Sequence, residues 1–202
     1  MNRRFILLAL LAAILVAGAV LVLAPGSKQA TEAPPLAGAT IGGPFSLVDQ
    51  DGRPVTQDAL KGRYALVYFG YTYCPDVCPV DLARLMQGLR AFEAKDAARA
   101  ARVQPVFITI DPARDTVPVV KQFVSAFHPR LMGLTGNQEA VDGALKSYRV
   151  YARKVGPEEA TDYLMDHSAN GYLFDPDGKP MLLFTQVDKP DDIAALLDRW
   201  VQ

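Results

Sequence analysis

The sequence has few of the residues that most often carry chemistry. Its 202 residues include two cysteines, two histidines and one tryptophan. It also lacks a Walker-type phosphate loop and a GxGxxG fingerprint after a strand, so nothing in it favours a nucleotide-dependent enzyme. Lys and Arg total 21 against 22 Asp and Glu, and the basic residues do not cluster into a stripe. Because nucleic-acid-binding proteins need such a stripe, that class is excluded.

Polar side chains are absent from residues 5–24, a run of twenty apolar residues preceded by Arg3 and Arg4. A helix of this length spans about 30 Å, the thickness of a bilayer core, so residues 1–24 are predicted to be an uncleaved membrane anchor. The alternative is a signal peptide cleaved near Ala24. Because positive charges favour the cytoplasmic side of a membrane, Arg3 and Arg4 predict that Met1 lies in the cytoplasm and that the chain after the anchor lies outside it.

Residues 25–42 are rich in Pro, Gly, Ala and small polar residues, a composition typical of a flexible linker. The remaining residues, 43–202, have the length of one domain with its own core. Apolar residues make up 50% of the chain, which excludes intrinsic disorder for this part.

The apolar pattern of this domain predicts an α/β fold. A hairpin around Asp51-Gly52 comes first, followed by a buried strand at 64–71, an amphipathic helix and a second buried strand at 103–110. Two further helices, a hairpin around residues 175–178 and a C-terminal helix complete the chain. This order is typical of a thioredoxin-like fold with an N-terminal β-hairpin extension, here preceded by one predicted transmembrane helix.

Cys74 and Cys78 directly follow the first buried strand, in the segment GYTYCPDVCP at residues 70–79. Ligands of open α/β sheets bind just beyond the carboxyl ends of strands. Pro79 suits the first position of a helix, which makes Cys78 the predicted N-cap and Asp81 an acid near the helix start. The positive end of the helix favours the thiolate form of both cysteines, as nucleophiles or as soft-metal ligands.

A structural disulfide is the plain alternative for a cysteine pair outside the cytoplasm. However, a bridge between residues only four apart removes little chain entropy from the unfolded state. The spacing and position therefore favour redox-active thiols over a stabilising bridge.

The two histidines receive different predictions. His128 precedes a proline at a helix end, and we expect it to have a structural, surface role. His167 lies in a predicted loop before the strand at 172–174, across the sheet from the cysteine turn. Cys74, Cys78 and His167 would form a set that suits copper, whereas a closed zinc site normally has four ligands. A hydrogen-bonded loop histidine is the alternative for His167.

Other residues near these positions receive weaker interpretations. Asp166 could orient His167, and Asp76 either tunes the cysteines or faces water. The segment at residues 111–116 reads as a helix cap with a charge pair. Core or rim positions are expected for the three tyrosines of the same region, Tyr68, Tyr71 and Tyr73.

Five segments in order resemble the Sco/SenC family over residues 43–200. They are YFGYTYCPDVCP at 68–79, IDPARDT at 110–116, LTG at 134–136, YRVY at 148–151 and DHS at 166–168. The resemblance implies a membrane-tethered metallochaperone of thioredoxin-like fold, in which Cys74, Cys78 and His167 bind one copper ion, Cu(I) or Cu(II). It implies delivery of that copper to the binuclear centre of cytochrome c oxidase and reduction of the centre's cysteines. A protein with this role is expected not to be a turnover enzyme.

The same resemblance implies the surroundings of the protein. Its expected partners are the oxidase subunit that holds the copper centre, a thioredoxin-type reductant and another copper chaperone as donor. Its expected location is the inner membrane, crossed once, with the globular domain facing the periplasm.

Two thiol-based functions compete with this interpretation. An extracytoplasmic thiol–disulfide oxidoreductase without copper cargo would usually carry CxxC and would not need His167. A peroxiredoxin usually has Thr three positions before its reactive cysteine, where this chain has Tyr71.

Overall fold

The computed structural model describes residues 32–157 and 159–202. Its elements follow in chain order: β1 (Ser46–Asp49), β2 (Pro54–Thr56), a 3₁₀ turn (Gln57–Leu60), β3 (Tyr64–Gly70), α1 (Val77–Lys95), α2 (Ala97–Ala100), β4 (Val103–Thr109), α3 (Val117–Ser125), β5 (Met132–Thr135), α4 (Gln138–Ser147), β6 (Ala152–Val155), β7 (Leu164–His167), β8 (Gly171–Phe174), β9 (Pro180–Phe184) and α5 (Pro190–Trp200).

A seven-stranded mixed sheet runs in the order β2-β1-β5-β4-β3-β8-β9. Strands β3 and β4 pair in parallel and are buried at every position, as expected for strands covered on both faces. β8 pairs with β3 in the antiparallel direction, and the β1–β2 hairpin extends the sheet beyond β5. The predicted βαβ unit, both hairpins and the mixed α/β class are therefore confirmed.

The apolar face of α1 covers one side of the sheet and also packs against α5. Leu82, Leu89 and Phe92 have no exposed surface, and neither do Ile193 and Leu197 of α5. The two helices approach closely at Gly88, where an added Cβ would lie 2.5 Å from a side-chain carbon of Ile193. The C-terminal helix thus fixes the position of the helix that carries Cys78.

Three strands, β5, β6 and β7, are absent from the sequence prediction. β5 is only four residues long and contains Gly133, so its pattern is too short to identify. β6 and β7 form a separate two-stranded sheet in which exposed and half-buried residues alternate. The sequence prediction had no strand at either position, and it placed His167 in a loop rather than at the end of β7.

Some boundaries also differ from the prediction. Helix α1 begins at Val77 with Asp76 at the N-cap position, so Cys78 lies inside its first turn. Part of the predicted linker packs on the domain: Leu36 N–H donates to the Met181 carbonyl, and Gly42 N–H donates to the Ser147 carbonyl, both at 3.0 Å.

The predicted anchor at residues 1–24 lies outside the described residues, as does the linker up to residue 31. Within residues 32–157 and 159–202, no helix is long and apolar enough to cross a membrane.

His128 has the expected structural role but is buried rather than on the surface, with 4% of its area exposed. Its Nε2 lies 3.2 Å from a carboxylate oxygen of Glu93, and its Nδ1 accepts the Arg130 N–H at 3.2 Å. Burial lowers the pKa of this imidazole. His128 therefore ties α1 to the turn that leads into β5.

Replacement of two helical glycines tests this packing. We expect Gly88→Ala to lower the free energy of unfolding by about 1–3 kcal/mol, because its methyl group overlaps Ile193. The control is Gly143→Ala in α4, where an added Cβ meets nothing within 4 Å and should stabilise the helix by about 0.5–1 kcal/mol. Denaturant unfolding measures both changes, and equal effects would contradict the close approach of α1 and α5.

Candidate functional site

The cysteine turn, residues 71–76, connects the end of β3 to the start of α1. It is held by Asp115, whose side chain has no exposed surface. The Thr72 backbone N–H donates to this carboxylate at 3.0 Å, and the Thr72 hydroxyl donates at 2.6 Å. A third bond comes from the Thr109 hydroxyl, also at 2.6 Å. Asp115 thus fixes the turn to the carboxyl end of β4.

This role differs from the helix cap that the sequence predicts for residues 111–116. The N-cap residue of α3 is Thr116, and its side chain makes no capping bond. The predicted charge pair is present, because Arg114 Nε donates to Asp111 at 2.6 Å. The segment therefore mainly supports the turn that carries Cys74.

Cys78 lies in the first turn of α1 and has no exposed surface. Its Sγ is 3.3 Å from Nε2 of His167. Gly70 makes room for this sulfur, since an added Cβ there would lie 3.1 Å from it. Burial raises the pKa of the Cys78 thiol far above its ordinary value. The expectation that the helix end favours thiolate at both cysteines is therefore wrong for Cys78, where burial outweighs the dipole.

Cys74 is partly exposed, and its pKa is shifted in the opposite direction from that of Cys78. Burial alone would raise its pKa, but the backbone N–H groups of Cys78 and Asp76 donate to its sulfur, and the net pKa is lowered. The Cys78 N–H lies 3.3 Å from the Cys74 Sγ. Asp76 contributes through its backbone, while its side chain is exposed. The two thiols thus have different acidities.

His167 ends β7, half-buried beside the cysteines. Its Nδ1 lies 3.1 Å from the Ser168 carbonyl, an acceptor that favours a proton on Nδ1 and leaves the Nε2 lone pair toward Cys78. Burial lowers the pKa of the imidazole, which favours this neutral form. Asp166 does not orient the ring: neighbouring strand residues face opposite sides, and Asp166 is exposed.

Tyr68 and Tyr71 are buried, and Tyr73 is 53% exposed, so the core and rim positions are confirmed. The hydroxyl groups add contacts that the sequence analysis missed. Tyr68 Oη lies against the Cys78 thiol and donates to Asp81 at 3.4 Å, while Tyr71 Oη contacts the Cys74 thiol and accepts the Met165 N–H at 3.3 Å. The hydroxyl group of a buried tyrosine usually has a hydrogen-bond partner, and this rule could have predicted that Tyr68 and Tyr71 contact polar groups.

Asp81 is buried rather than placed at the helix start. It pairs with Arg84 at 2.9 Å, and burial raises its pKa. Its charge lies near His167 and contributes to the electrostatics of the imidazole. Asp81 therefore belongs to the surroundings of the site, not to the cap of α1.

The structure places the three predicted ligands, Cys74, Cys78 and His167, next to one another. Cys78 and His167 touch, and Cys74 is joined to Cys78 through its N–H. No group of three Cys, His, Asp or Glu side chains within residues 32–157 and 159–202 has the arrangement of a preformed metal site. A groove of about 270 Å³ opens beside Cys74 and His167 and gives access from solvent.

Comparison with protein families identifies the relatives of this chain. A family model described as SCO1/SenC matches residues 33–202. The chain belongs to the SCO1/SenC family. The resemblance predicted from the five sequence segments is confirmed.

Individual relatives agree with this assignment. The chain is 45% identical to the mitochondrial protein SCO2 of Saccharomyces cerevisiae over 142 residues, 69% of this chain and 46% of that protein. It is similar to the structure of Bradyrhizobium japonicum ScoI with copper bound, at 45% identity and a TM-score of 0.71, covering 79% of this chain and 99% of that one. The chain spans about half the length of the first mitochondrial relatives it matches.

A third similar structure is that of BsSco, at 25% identity and a TM-score of 0.61, covering 83% of this chain and 95% of that one. It is described as having a disulfide switch and as a member of the Sco family of cytochrome c oxidase assembly proteins. Its fold matches the mixed α/β, thioredoxin-like arrangement found here.

The different environments of the two thiols predict their order of alkylation. In the reduced, metal-free chain at neutral pH, iodoacetamide should modify Cys74 about tenfold or more faster than Cys78, because Cys74 is more exposed and more often a thiolate. Peptide mass mapping over time measures both rates. In denaturant the two rates should become equal, and equal rates in the folded chain would contradict the described environments.

Proposed function

We propose that Cys74, Cys78 and His167 bind one copper ion, and that the protein delivers it to the binuclear copper centre of cytochrome c oxidase. The observation that carries this proposal is the 3.3 Å contact between Cys78 Sγ and His167 Nε2, with Cys74 in the preceding turn and its Sγ 3.3 Å from the Cys78 N–H. The copper-bound ScoI structure and the assembly role stated for the BsSco family support the choice of metal and of recipient.

The donor set suits copper on chemical grounds. Thiolates select Cu(I), and a neutral imidazole accepts either oxidation state. Cys78 must lose its proton to become a ligand, so copper binding releases protons and strengthens as the pH rises. The groove beside Cys74 and His167 would leave a copper ion held by three protein donors open to an incoming ligand, a feature that suits transfer better than storage.

The same two sulfurs support a reductase activity toward the cysteines of the recipient centre. The Cys74 thiolate attacks a target disulfide, forms a mixed disulfide and releases one target thiolate. Cys78, once deprotonated, then displaces the second target thiolate and closes a Cys74–Cys78 disulfide. Two electrons pass to the target, and a thioredoxin-type reductant must restore the dithiol. Because copper requires the reduced pair, oxidation also prevents metal binding.

Membrane attachment completes the proposal. Residues 1–24 would anchor the chain in the inner membrane, and residues before Pro34 would connect the anchor to the compact unit that extends from Pro34 to Gln202. With Arg3 and Arg4 on the cytoplasmic side, the domain would lie in the periplasm, beside a membrane-embedded oxidase. Another copper chaperone would supply the metal there.

A second candidate is an extracytoplasmic thiol–disulfide oxidoreductase without copper cargo. The accessible, acidic Cys74 beside a buried Cys78 is the arrangement of an attacking and a resolving thiol, which favours this function. The contact of His167 with Cys78 supports the copper-binding candidate, since disulfide exchange does not require an imidazole at that position.

Copper stoichiometry tests the choice. The reduced protein should bind one copper per chain, and Cys74→Ala, Cys78→Ala and His167→Ala should each lose it or change its absorption spectrum, because each removes one donor. His167→Ala should still exchange disulfides. Metal analysis after gel filtration, absorption spectroscopy and a disulfide-reduction assay measure these properties.

The matched control is His128→Gln, which changes the other histidine of the chain, buried against Glu93 and Arg130. It should bind copper as the wild type does. A wild type that reduces disulfides well but holds no copper would favour the oxidoreductase, and unchanged copper binding in His167→Ala would remove the imidazole from the ligand set.

Carbonate extraction tests the anchor. If residues 1–24 span the membrane uncleaved, washed membranes should retain a full-length chain, because an apolar segment of this length stays in the bilayer. Immunoblotting with mass determination of the retained chain measures this. Recovery of a shortened soluble form would instead indicate a cleaved signal peptide.

A further inference from the structure

The hairpin that carries His167 does not belong to the main sheet. Strands β6 and β7 pair with each other, Ala152 opposite His167 through Val155 opposite Leu164. Because side chains alternate along a strand, Met165 and His167 lie on the same side of β7. Tyr163, the residue before β7, is at least half-buried, as Met165 and His167 are. The position of His167 therefore depends on what this face contacts.

Arg114 contacts the hairpin at Tyr163. Its Nη1 donates to the Tyr163 carbonyl at 2.9 Å, and its guanidinium carbon lies 3.6 Å from the centroid of the Tyr163 ring. Asp111 binds both partners, accepting Arg114 Nε at 2.6 Å and the Tyr163 hydroxyl at 2.7 Å. We call Asp111, Arg114 and Tyr163 the Arg114 cluster.

The Arg114 cluster also reaches the cysteine turn. The guanidinium carbon lies 4.9 Å from the ring centroid of Tyr73 and 5.7 Å from that of Tyr71, the residues on either side of Thr72. Asp115, the residue after Arg114, holds Thr72 through its carboxylate. One short loop after β4 therefore holds both the turn that carries Cys74 and the hairpin that carries His167.

We propose that Arg114 is a positioning residue that holds the His167 hairpin against Cys78, although it contributes no ligand itself. The consequence for copper rests on the proposed function. Arginine is needed because its planar fork donates to a carboxylate and a carbonyl while its face stacks on an aromatic ring. Lysine offers one point charge and cannot make these contacts together.

Amide hydrogen exchange tests the positioning directly, in the full-length reduced chain in detergent without copper. The informative amide is that of Met165, because its N–H bond leaves the hairpin and ends on Tyr71 Oη. In Arg114→Ala this amide should exchange about tenfold or more faster, since opening of the hairpin becomes easier, while the amides of β3 and β4 should keep their protection. Arg114→Lys should give an intermediate rate.

The matched control is Arg99→Ala at the other end of the molecule. Arg99 also pairs with an aspartate three residues earlier, Asp96, donates to the backbone carbonyl of Asp198 and lies over the ring of Phe92. Its loss should destabilise the contact with the end of α5 and leave Met165 unaffected. Tyr163→Phe is a milder variant, because it removes only the hydroxyl bond to Asp111. It should increase the Met165 exchange rate by less than Arg114→Ala does, and it replaces Arg114→Ala as the test if that variant fails to fold.

Copper affinity gives the second measurement, in competition with a chelator. Arg114→Ala should weaken binding by about 10- to 100-fold, as loss of a supporting partner around a metal site commonly does. In a His167→Ala background the same change should have no further effect, because Arg114 acts through His167. A general loss of stability would instead weaken binding equally in both backgrounds.

The outcomes separate the two proposals. Unchanged Met165 exchange in Arg114→Ala and Tyr163→Phe would overturn the role of Arg114, whatever the copper result. Faster exchange together with unchanged copper affinity, or with additive effects in the double variant, would overturn it as well. If the wild type binds no copper, the proposed function fails, and the exchange measurement alone decides the role of Arg114.

Discussion

The site depends on the burial of one sulfur atom at the carboxyl end of the central strand. Cys78 has no exposed surface, and its Sγ lies between Gly70, Tyr68 and His167. This position requires a glycine at the end of β3, a helix that starts at Val77 and an imidazole brought from a separate hairpin. The helix in turn is fixed by close packing on α5. The end of β3, the start of α1 and the hairpin that carries His167 therefore all meet at Cys78.

Burial and hydrogen bonding give the two cysteines different properties, although they share one helix end. Backbone N–H groups lower the pKa of the partly exposed Cys74 thiol, while burial raises that of Cys78. A dithiol of this kind can attack through one sulfur and resolve through the other. It can also bind a soft metal ion when both sulfurs are deprotonated. The proposed copper transfer and the proposed thiol reduction therefore use the same two sulfurs, with His167 as the third copper ligand.

The predictable parts of the fold were those with strong local patterns. The apolar runs of β3 and β4 and the Asp51-Gly52 turn identify themselves, and the position of the cysteines after β3 follows from chain order. The β6–β7 hairpin was missed because its strands are short and partly polar. Burial of Cys78 and the bonds of Asp115 to Thr72 join segments distant in sequence, so periodicity alone does not reveal them.

X-ray absorption spectroscopy of the copper-loaded protein tests the central claim most directly, because it reports the atoms bound to the metal. The account predicts two sulfur neighbours and one imidazole nitrogen around copper in the wild type. In His167→Ala the imidazole signal should disappear while both sulfur neighbours remain. A wild-type spectrum without an imidazole, or with a single sulfur neighbour, would contradict a site made of Cys74, Cys78 and His167.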